Sequence, residues 1–262
     1  MHMSRYFACH KMHIAIWLTF ASFALAFASA VIFDLVWQVT FTLLFLLMVG
    51  EVFVLEAIQR KALKRIRAKL YTSCDPLGYA IDCEYCMQRE KDFIQSFLFT
   101  VDLTEALIEM GDFENALAVA DDNAPGGYSM PYFRCLYYTN ITRILIYLGR
   151  ANEVDEYYDF THEQLKLIKG NADRLRINSY KILMEIEYAF MKGELDRVRS
   201  LTELFESQKN SPYLLVHLNL AKGRYCILTD SKEEAKLHLN YVIDNGKGLY
   251  AVAIAKNLLR EL

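Results

Sequence analysis

Two apolar runs placed back to back near the N-terminus constrain this chain more than any other feature. The first, residues 14–33, contains no ionisable side chain, and the second, residues 35–56, has Glu51 and Glu56 only near its end. Because a helix rises about 1.5 Å per residue, roughly 20 apolar residues cross a hydrocarbon layer about 30 Å thick. The spacing therefore predicts a transmembrane helical hairpin with its turn at Asp34.

The cations near these runs all lie before the first run or after the second, and none lies between them. Arg5 and Lys11 precede the first run, and the turn carries no cation. The positive-inside rule then places both termini in the cytoplasm and predicts an integral membrane protein. Cations near a bilayer attract anionic lipid headgroups, so we expect headgroup contact from a cluster that follows the second run. That cluster consists of Arg60, Lys61, Lys64, Arg65, Arg67 and Lys69.

Two alternatives concern the first run. Ala28-Ser29-Ala30 has the small-x-small form of a signal-peptide cleavage site. Cleavage there would leave only residues 31–34 ahead of the next run, so an uncleaved anchor is the favoured interpretation. Small residues four apart, such as Ser22 and Ala26, let helices approach closely in lipid. They are consistent with packing inside the hairpin or with self-association of two hairpins, and we favour the former.

Charge divides the chain into unequal parts. We predict a tail and hairpin over residues 1–59, a basic juxtamembrane stalk over 60–74 and a cytoplasmic domain over 75–262. Residues 1–74 hold eight Lys/Arg and three Asp/Glu, so the remainder holds 29 − 8 = 21 and 32 − 3 = 29, a net charge of −8. Phosphate contact depends on clustered cations. An acidic domain of this kind is not expected to bind nucleic acid.

The cysteines include one C-x-x-C, Cys83-Glu84-Tyr85-Cys86. A structural zinc site needs a second pair of ligands at a suitable spacing, and the sequence has neither a second C-x-x-C nor an H-x-x-x-H. A thioredoxin-like motif needs a βαβ context, which the helical patterns do not provide. We interpret Cys83 and Cys86 as small buried thiols on a helix.

No constellation of residues specifies a reaction. His162, His217 and His238 are scattered, and we interpret each as a surface or helix-face residue. Glu185 and Glu187 are expected on solvated helix faces. Because no nucleophile can be paired with a base, we expect no enzyme, no cofactor and no metal ion.

The breaks between helical patterns repeat one form. Asp75-Pro76 resembles a helix N-cap followed by proline, and from there helices alternate with short turns, which predicts an all-α domain. Three breaks contain a glycine able to cap one helix in the left-handed conformation, and a fourth has an aspartate in that place. These four are Gly111, Gly149, Gly193 and Asp230. A small residue follows each by five positions: Ala116, Val154, Val198 and Ala235.

These units resemble the tetratricopeptide repeat, a helix-turn-helix module that stacks into an α-solenoid. The first unit carries the resemblance best, with Leu103, Leu107, Gly111, Asp112, Phe113, Ala116 and Ala120. Successive breaks are 38, 44 and 37 residues apart, from the numbers 111, 149, 193 and 230, whereas the family repeats about every 34. We predict that residues 248–262 form a capping helix over the last unit.

The resemblance implies that a ligand would lie on the inner face of each unit's first helix. In the first unit those positions are Asp102, Glu105 and Glu109. In the later units the predicted partner-binding residues are Asn140, Arg143, Tyr147, Tyr180, Glu187, His217 and Arg224. The expected function is a membrane-anchored scaffold whose repeats bind a protein or peptide. The alternative is a structural or regulatory subunit of a membrane complex that assembles through the hairpin.

Overall fold

A computed structural model of the chain describes residues 11–33, 37–90, 93–125, 130–206 and 211–262. Within these ranges it contains twelve α-helices and no strand, so the predicted all-α class is confirmed. The helices are α1 (Lys11–Phe33), α2 (Trp37–Tyr71), α3 (Pro76–Arg89), α4 (Phe93–Met110), α5 (Phe113–Asp122), α6 (Pro131–Tyr147), α7 (Ala151–Leu167), α8 (Asn171–Lys192), α9 (Leu195–Glu206), α10 (Pro212–Leu228), α11 (Lys232–Gly246) and α12 (Tyr250–Glu261).

Successive helices pack in antiparallel pairs, α4 with α5, α6 with α7, α8 with α9 and α10 with α11. The first helix of each pair also contacts the first helix of the next, α4 with α6, α6 with α8 and α8 with α10. This arrangement is a helical array with an inner layer, α4, α6, α8 and α10, and an outer layer. At its N-terminal side, α1 packs along α2, and α2 packs on α3.

The turns inside the pairs have the predicted left-handed residue. Gly111, Gly149 and Gly193 have φ angles of 79°, 69° and 71°, and Asp230 has a φ of 59°. A non-glycine residue rarely adopts this region, although aspartate tolerates it better than most residues. The same geometry at the fourth turn is therefore retained without glycine. The small residues five positions on, Ala116, Val154, Val198 and Ala235, are all fully buried.

The segment predicted as a basic stalk continues the second hairpin helix as expected, but one of its faces is buried in the domain and not exposed. Along α2 a stripe at helical spacing faces the domain and is buried: Leu55, Gln59, Ala62, Ile66 and Leu70. The following helix α3 begins as expected, because Asp75 accepts a hydrogen bond from the Gly78 N–H at 2.9 Å. The end of α2 is thus an integral part of the domain core.

The array closes on itself through α12. This helix packs on α11 and α10 and also contacts α4, in the first pair. Its preceding Leu249 and its own Val252 and Ala255 are buried in the core cluster that also contains Ile66 and Leu70 of α2. The predicted cap is therefore present, and it spans from the last pair back to the first.

The predicted membrane location is wrong for the described chain. Among the residues that the structure describes, no helix combines the length and the apolar character needed to cross a bilayer. The second predicted span is part of the 35-residue helix α2, whose charged second half packs into the domain. The transmembrane hairpin and the cytoplasmic placement of both termini lose their basis with this finding. Arg5, Cys9 and the turn at Asp34 lie outside the described residues.

Candidate functional site

The inner layer of the array is occupied by the chain's own helix α2. The Arg67 guanidinium contacts the Asp102 carboxylate of α4, with Nη2 3.1 Å from Oδ2. One turn later the Tyr71 hydroxyl donates to Glu105 Oε2 at 2.6 Å and also hydrogen-bonds the Tyr180 hydroxyl of α8. The inner face predicted to hold a partner segment therefore already holds a helix, through one ion pair and one tyrosine.

Glu109 of α4 lies at the centre of a group of polar side chains from α6 and α10. Its Oε1 accepts from Arg143 Nη2 at 2.6 Å and from the Tyr213 hydroxyl at 2.8 Å, and its Oε2 lies 2.9 Å from His217 Nε2. Burial alone raises the pKa of Glu109, but the contacts with His217 and Arg143 outweigh this effect and lower it to about 2. The carboxylate is therefore ionised and shared by helices α6 and α10.

Glu105, one helical turn before Glu109, has the opposite electrostatics. Burial raises the pKa of Glu105 to about 8, and the hydrogen bond from Tyr71 offsets this only in part. At neutral pH this carboxyl is protonated and neutral. Two glutamates on the same face of α4 thus differ in charge because one has a buried arginine and histidine beside it and the other has tyrosines.

The remaining predicted binding residues are also engaged inside the chain. Asn140 donates from Nδ2 to the Val101 carbonyl at 3.1 Å. Arg224 contacts both oxygens of Glu187, at 2.9 and 2.8 Å, and its guanidinium lies 3.9 Å from the centre of the Phe190 ring. These contacts join neighbouring inner helices.

Helix α12 closes the space beside Arg143. The Tyr250 ring packs edge-on against Tyr147, and Tyr147 stacks on Phe113 with ring centres 4.7 Å apart. The cleft between Arg143, His217 and α12 leaves no water-sized space. Nε and Nη1 of Arg143 have no hydrogen-bond partner among the described residues.

The structure therefore brings Arg143 and His217 together on Glu109 and pairs Glu187 with Arg224. It places Tyr180 separately, beside Tyr71, and uses Asn140 to tie α6 to α4. All of these contacts are within the chain. Partner binding at these residues stays a prediction.

A second buried acid cluster was missed in the sequence. Glu185, expected on a solvated face, has a side chain that is only 6% exposed. It accepts from the Tyr158 hydroxyl at 2.6 Å, contacts Arg197 and lies 2.9 Å from His162 Nε2. Burial raises the pKa of Glu185, but its contacts with His162 and Tyr158 lower it to about 2. The expectation of solvated acids is wrong here, because polar partners from α7 and α9 pack over α8.

The expectation of a solvated face is also wrong for Glu187, and His217 is not a surface residue. Glu187 is largely buried against Arg224, and His217 is buried on Glu109 and not at the surface. The interpretation of Cys83 and Cys86 as buried thiols is confirmed, since neither is exposed and neither is in a disulfide. Burial is also the main cause that raises the pKa of Cys83.

The six cations of α2 divide into two groups. Arg67 contacts Asp102, and Lys69 lies 2.5 Å from Asp82 and donates to the Gly78 carbonyl. These two cations belong to the domain. The others are exposed on α2, and Arg60 pairs with Glu56 one turn earlier. The predicted headgroup contact of Arg60, Lys61, Lys64 and Arg65 is not tested by this arrangement.

The packed helix pair formed by α1 and the first half of α2 has many exposed apolar side chains. We use the term hairpin surface for the exposed apolar side chains of α1 and of residues 37–54 of α2. Its larger members are more than half exposed: Trp17, Phe20, Phe23, Phe27, Phe45 and Phe53. A shallow apolar groove on α1 is lined by Ile16, Phe20 and Phe23, among others. Elsewhere in the described chain most large apolar side chains are at least partly buried. The exposed ones are therefore concentrated on the hairpin surface.

Known proteins do not supply an assignment. The chain matches no protein-family model, no curated protein and no solved structure.

Proposed function

We propose that the protein is a non-enzymatic interaction protein, in which a helical-repeat domain holds an apolar helical hairpin and displays it to a partner protein. The observation that carries this proposal is the hairpin surface. Its apolar side chains lie exposed on a helix pair whose other end is fixed into the domain core by Ile66 and Leu70. Exposed apolar patches larger than a few hundred Å² are typical of interaction sites.

The size of the hairpin surface is consistent with a specific complex. Large aromatic side chains offer roughly 150–250 Å² each. The six aromatic residues of the hairpin surface are between 56% and 75% exposed, so they alone offer roughly 700 Å². A standard interface buries about 800 Å² on each partner. We infer that the occupant is an apolar surface of another protein, because an apolar partner covers this surface without leaving its own polar groups unpaired.

We further infer that the domain is a tetratricopeptide-like array with a role in holding the hairpin. The left-handed turns at Gly111, Gly149 and Gly193 and the buried small residues after them support this repeat type. The inner face of such arrays is the usual place for a bound segment, and here α2 occupies it through Arg67 and Tyr71. The array thus serves as a clamp for the chain's own helix.

Site-specific photocrosslinking tests this function. A crosslinking residue is placed at Trp17 in the full chain, in the cell that naturally makes it, with the same residue at Leu237 as the matched position. Leu237 is 73% exposed on α11, nearly the same as Trp17 at 75%. We expect one defined protein to be captured from Trp17 and not from Leu237.

Charge substitutions complete the test. Phe20→Asp together with Phe53→Asp should abolish capture from Trp17, because a carboxylate in an apolar interface loses its hydration without gaining a partner. The control Leu237→Asp should leave capture from Trp17 unchanged. Capture that survives both Asp substitutions would contradict the proposal. A product of twice the chain mass would instead identify the occupant as a second copy.

A second candidate function keeps the inner face as the binding surface for a protein or peptide segment. The observation in its favour is that this face already binds a helix through an arginine and a tyrosine. Glu187→Ala combined with Arg224→Ala removes a whole ion pair at this face and leaves neither charge alone. The second candidate predicts loss of the captured partner in this variant, whereas the hairpin proposal predicts that capture from Trp17 persists.

A further inference from the structure

Three side chains with metal-binding chemistry meet between α10 and α11. Cys226 lies on α10, and Glu234 and His238 lie four residues apart on α11, on the same face of that helix. One ligand atom from each, a sulfur, a carboxylate oxygen and an imidazole nitrogen, lies within 4.8 Å of the other two. The two helices form the fourth pair of the array, so the cluster joins an inner helix to an outer one.

The hydrogen bonds around His238 orient its ring for metal binding. Asn219 donates from Nδ2 to the Leu215 carbonyl at 2.8 Å, which fixes its Oδ1 toward His238. That oxygen lies 2.9 Å from His238 Nδ1, so Nδ1 must carry the proton and donate it. The lone pair is then on Nε2, the atom 3.9 Å from Glu234 Oε1. A ligating histidine commonly donates its other N–H to a carbonyl oxygen in this way.

The cluster is also accessible from solvent. Glu234 is 64% exposed, while Cys226 is buried. Ligand atoms bound to one tetrahedral zinc lie roughly 3.3 to 3.6 Å apart. The Glu234 oxygen, 3.9 Å from His238 Nε2, lies just outside that range. Lys222, on the same helix as Cys226, is paired with Glu206 at 2.8 Å.

We propose that Cys226, Glu234 and His238 bind a divalent transition-metal ion of the zinc class, with a fourth coordination position open to solvent. Thiolate and imidazole ligands favour zinc over magnesium or calcium. The ion replaces the thiol proton of Cys226, which is released to solvent when the Zn–S bond forms. The sequence suggested no metal because the two ligands on α11 do not share a recognised motif with Cys226, eight residues before Glu234.

Cobalt(II) serves as the probe for this site, because a thiolate bound to Co²⁺ gives a charge-transfer absorption that other ligands do not. The full chain, purified without metal and with its cysteines reduced, is titrated with Co²⁺ and then with Zn²⁺. We expect the absorption to appear with one ion per chain and to be displaced by Zn²⁺. Cys226→Ser should abolish it, whereas Cys135→Ser, at another buried cysteine, and Cys9→Ser should keep it.

Two further variants keep the test valid if Cys226→Ser does not fold. Glu234→Gln changes an exposed side chain and should weaken Co²⁺ binding at least tenfold without altering the circular dichroism spectrum. Asn219→Ala should weaken it by about 10- to 100-fold, as expected for loss of the residue that orients a ligand. The proposal is overturned if the wild-type chain shows no charge-transfer absorption, if Cys226→Ser retains it, or if Glu234→Gln binds Co²⁺ as tightly as wild type.

Discussion

The inner face of the repeat domain carries buried charged side chains, whereas the hairpin surface carries exposed apolar ones. Inside the domain, Arg143, Glu109 and His217 are buried together. On the hairpin, Trp17 and Phe20 are largely exposed. A buried ion survives only when paired, so the interior polar residues act as a unit that joins four inner helices and α2. The exposed apolar residues have no such role in the fold.

The difference teaches that residue type alone does not show which side chains are buried and which are exposed. Polar side chains on the inner helices suggested a binding groove, yet their contacts are with each other. Apolar side chains on the hairpin suggested a membrane, yet no described helix qualifies as a span. Substitutions in the two regions should therefore have opposite consequences, stability in the first and association in the second.

The largest expected effect is at Arg143. Arg143→Ala leaves the buried Glu109 carboxylate without its arginine, and breaking a buried pair in this way costs about 3–5 kcal/mol of the free energy of unfolding. Phe20→Ser, on the hairpin surface, should change it by less than about 0.5 kcal/mol. Urea unfolding followed by circular dichroism measures both. A small effect for Arg143→Ala would show that the interior network does not stabilise the fold.

The two glutamates of α4 should respond to pH in opposite directions. The folded-state pKa of Glu105, about 8, is above its unfolded value, so the folded protein holds a proton that the unfolded chain has lost. Stability from this group is present below the unfolded pKa and falls as the pH rises toward 8, by up to about 4 kcal/mol between pH 5 and pH 8. Glu105→Gln should remove this fall.

Glu109 provides the matched comparison. Its folded-state pKa of about 2 lies below the unfolded value, so its contribution is present above the unfolded pKa and is lost as the pH falls toward 2. Glu109→Gln should therefore destabilise the protein at pH 7 and keep the decline between pH 5 and pH 8. Melting temperatures of both variants across this range decide the assignment. Equal pH profiles for Glu105→Gln and wild type would contradict it.

The contact between α2 and the inner face should show a smaller effect. Tyr71→Phe removes the hydroxyl that Glu105 and Tyr180 share and should cost about 1–2 kcal/mol, because buried polar groups lose a partner. Tyr241→Phe, on the outer helix α11, is the control and should cost less than about 0.5 kcal/mol. Denaturant unfolding compares the two. Indistinguishable midpoints would indicate that α2 is held by its apolar stripe alone.

Two glycines offer the smallest and most direct test of the comparison. Gly193 has a φ of 71° with nothing near its missing side chain, so Gly193→Ala should lower stability by about 1 kcal/mol through backbone strain alone. Gly50 lies inside α2 at the hairpin and also has open space around it. Gly50→Ala should raise stability by roughly 0.5–1 kcal/mol, as in any helix interior. Calorimetric melting temperatures should shift in opposite directions.

Local features of the fold could be predicted because they depend on short-range chemistry. Asp75 caps α3, the turn glycines adopt positive φ, and Ala116 and Val154 are buried where the helix pairs approach. Each requires only residues a few positions apart. The second half of α2 also has an apolar stripe at helical spacing, formed by Ala62, Ile66 and Leu70. These residues alternate with the cations that suggested a stalk. This spacing indicates a buried face on the second half of α2.

The arrangement of the site could not be predicted in this way. Glu105 and Tyr213 are 108 residues apart, and whether a carboxylate is solvated or buried depends on what packs over it. Cys226 and His238 likewise meet only because α10 and α11 form a pair. No periodicity within one helix contains this information.

By itself the sequence determined the helical class, the positions of the turns and the apolar character of the hairpin, since these follow from side-chain size, glycine and hydropathy along the chain. Only the tertiary structure decided that α2 fills the inner face, that α12 closes the array and that two neighbouring glutamates differ in protonation. The physical reason is that burial and pairing are long-range properties. They arise when distant helices exclude water from the same space, and they then set the charge and accessibility of each side chain.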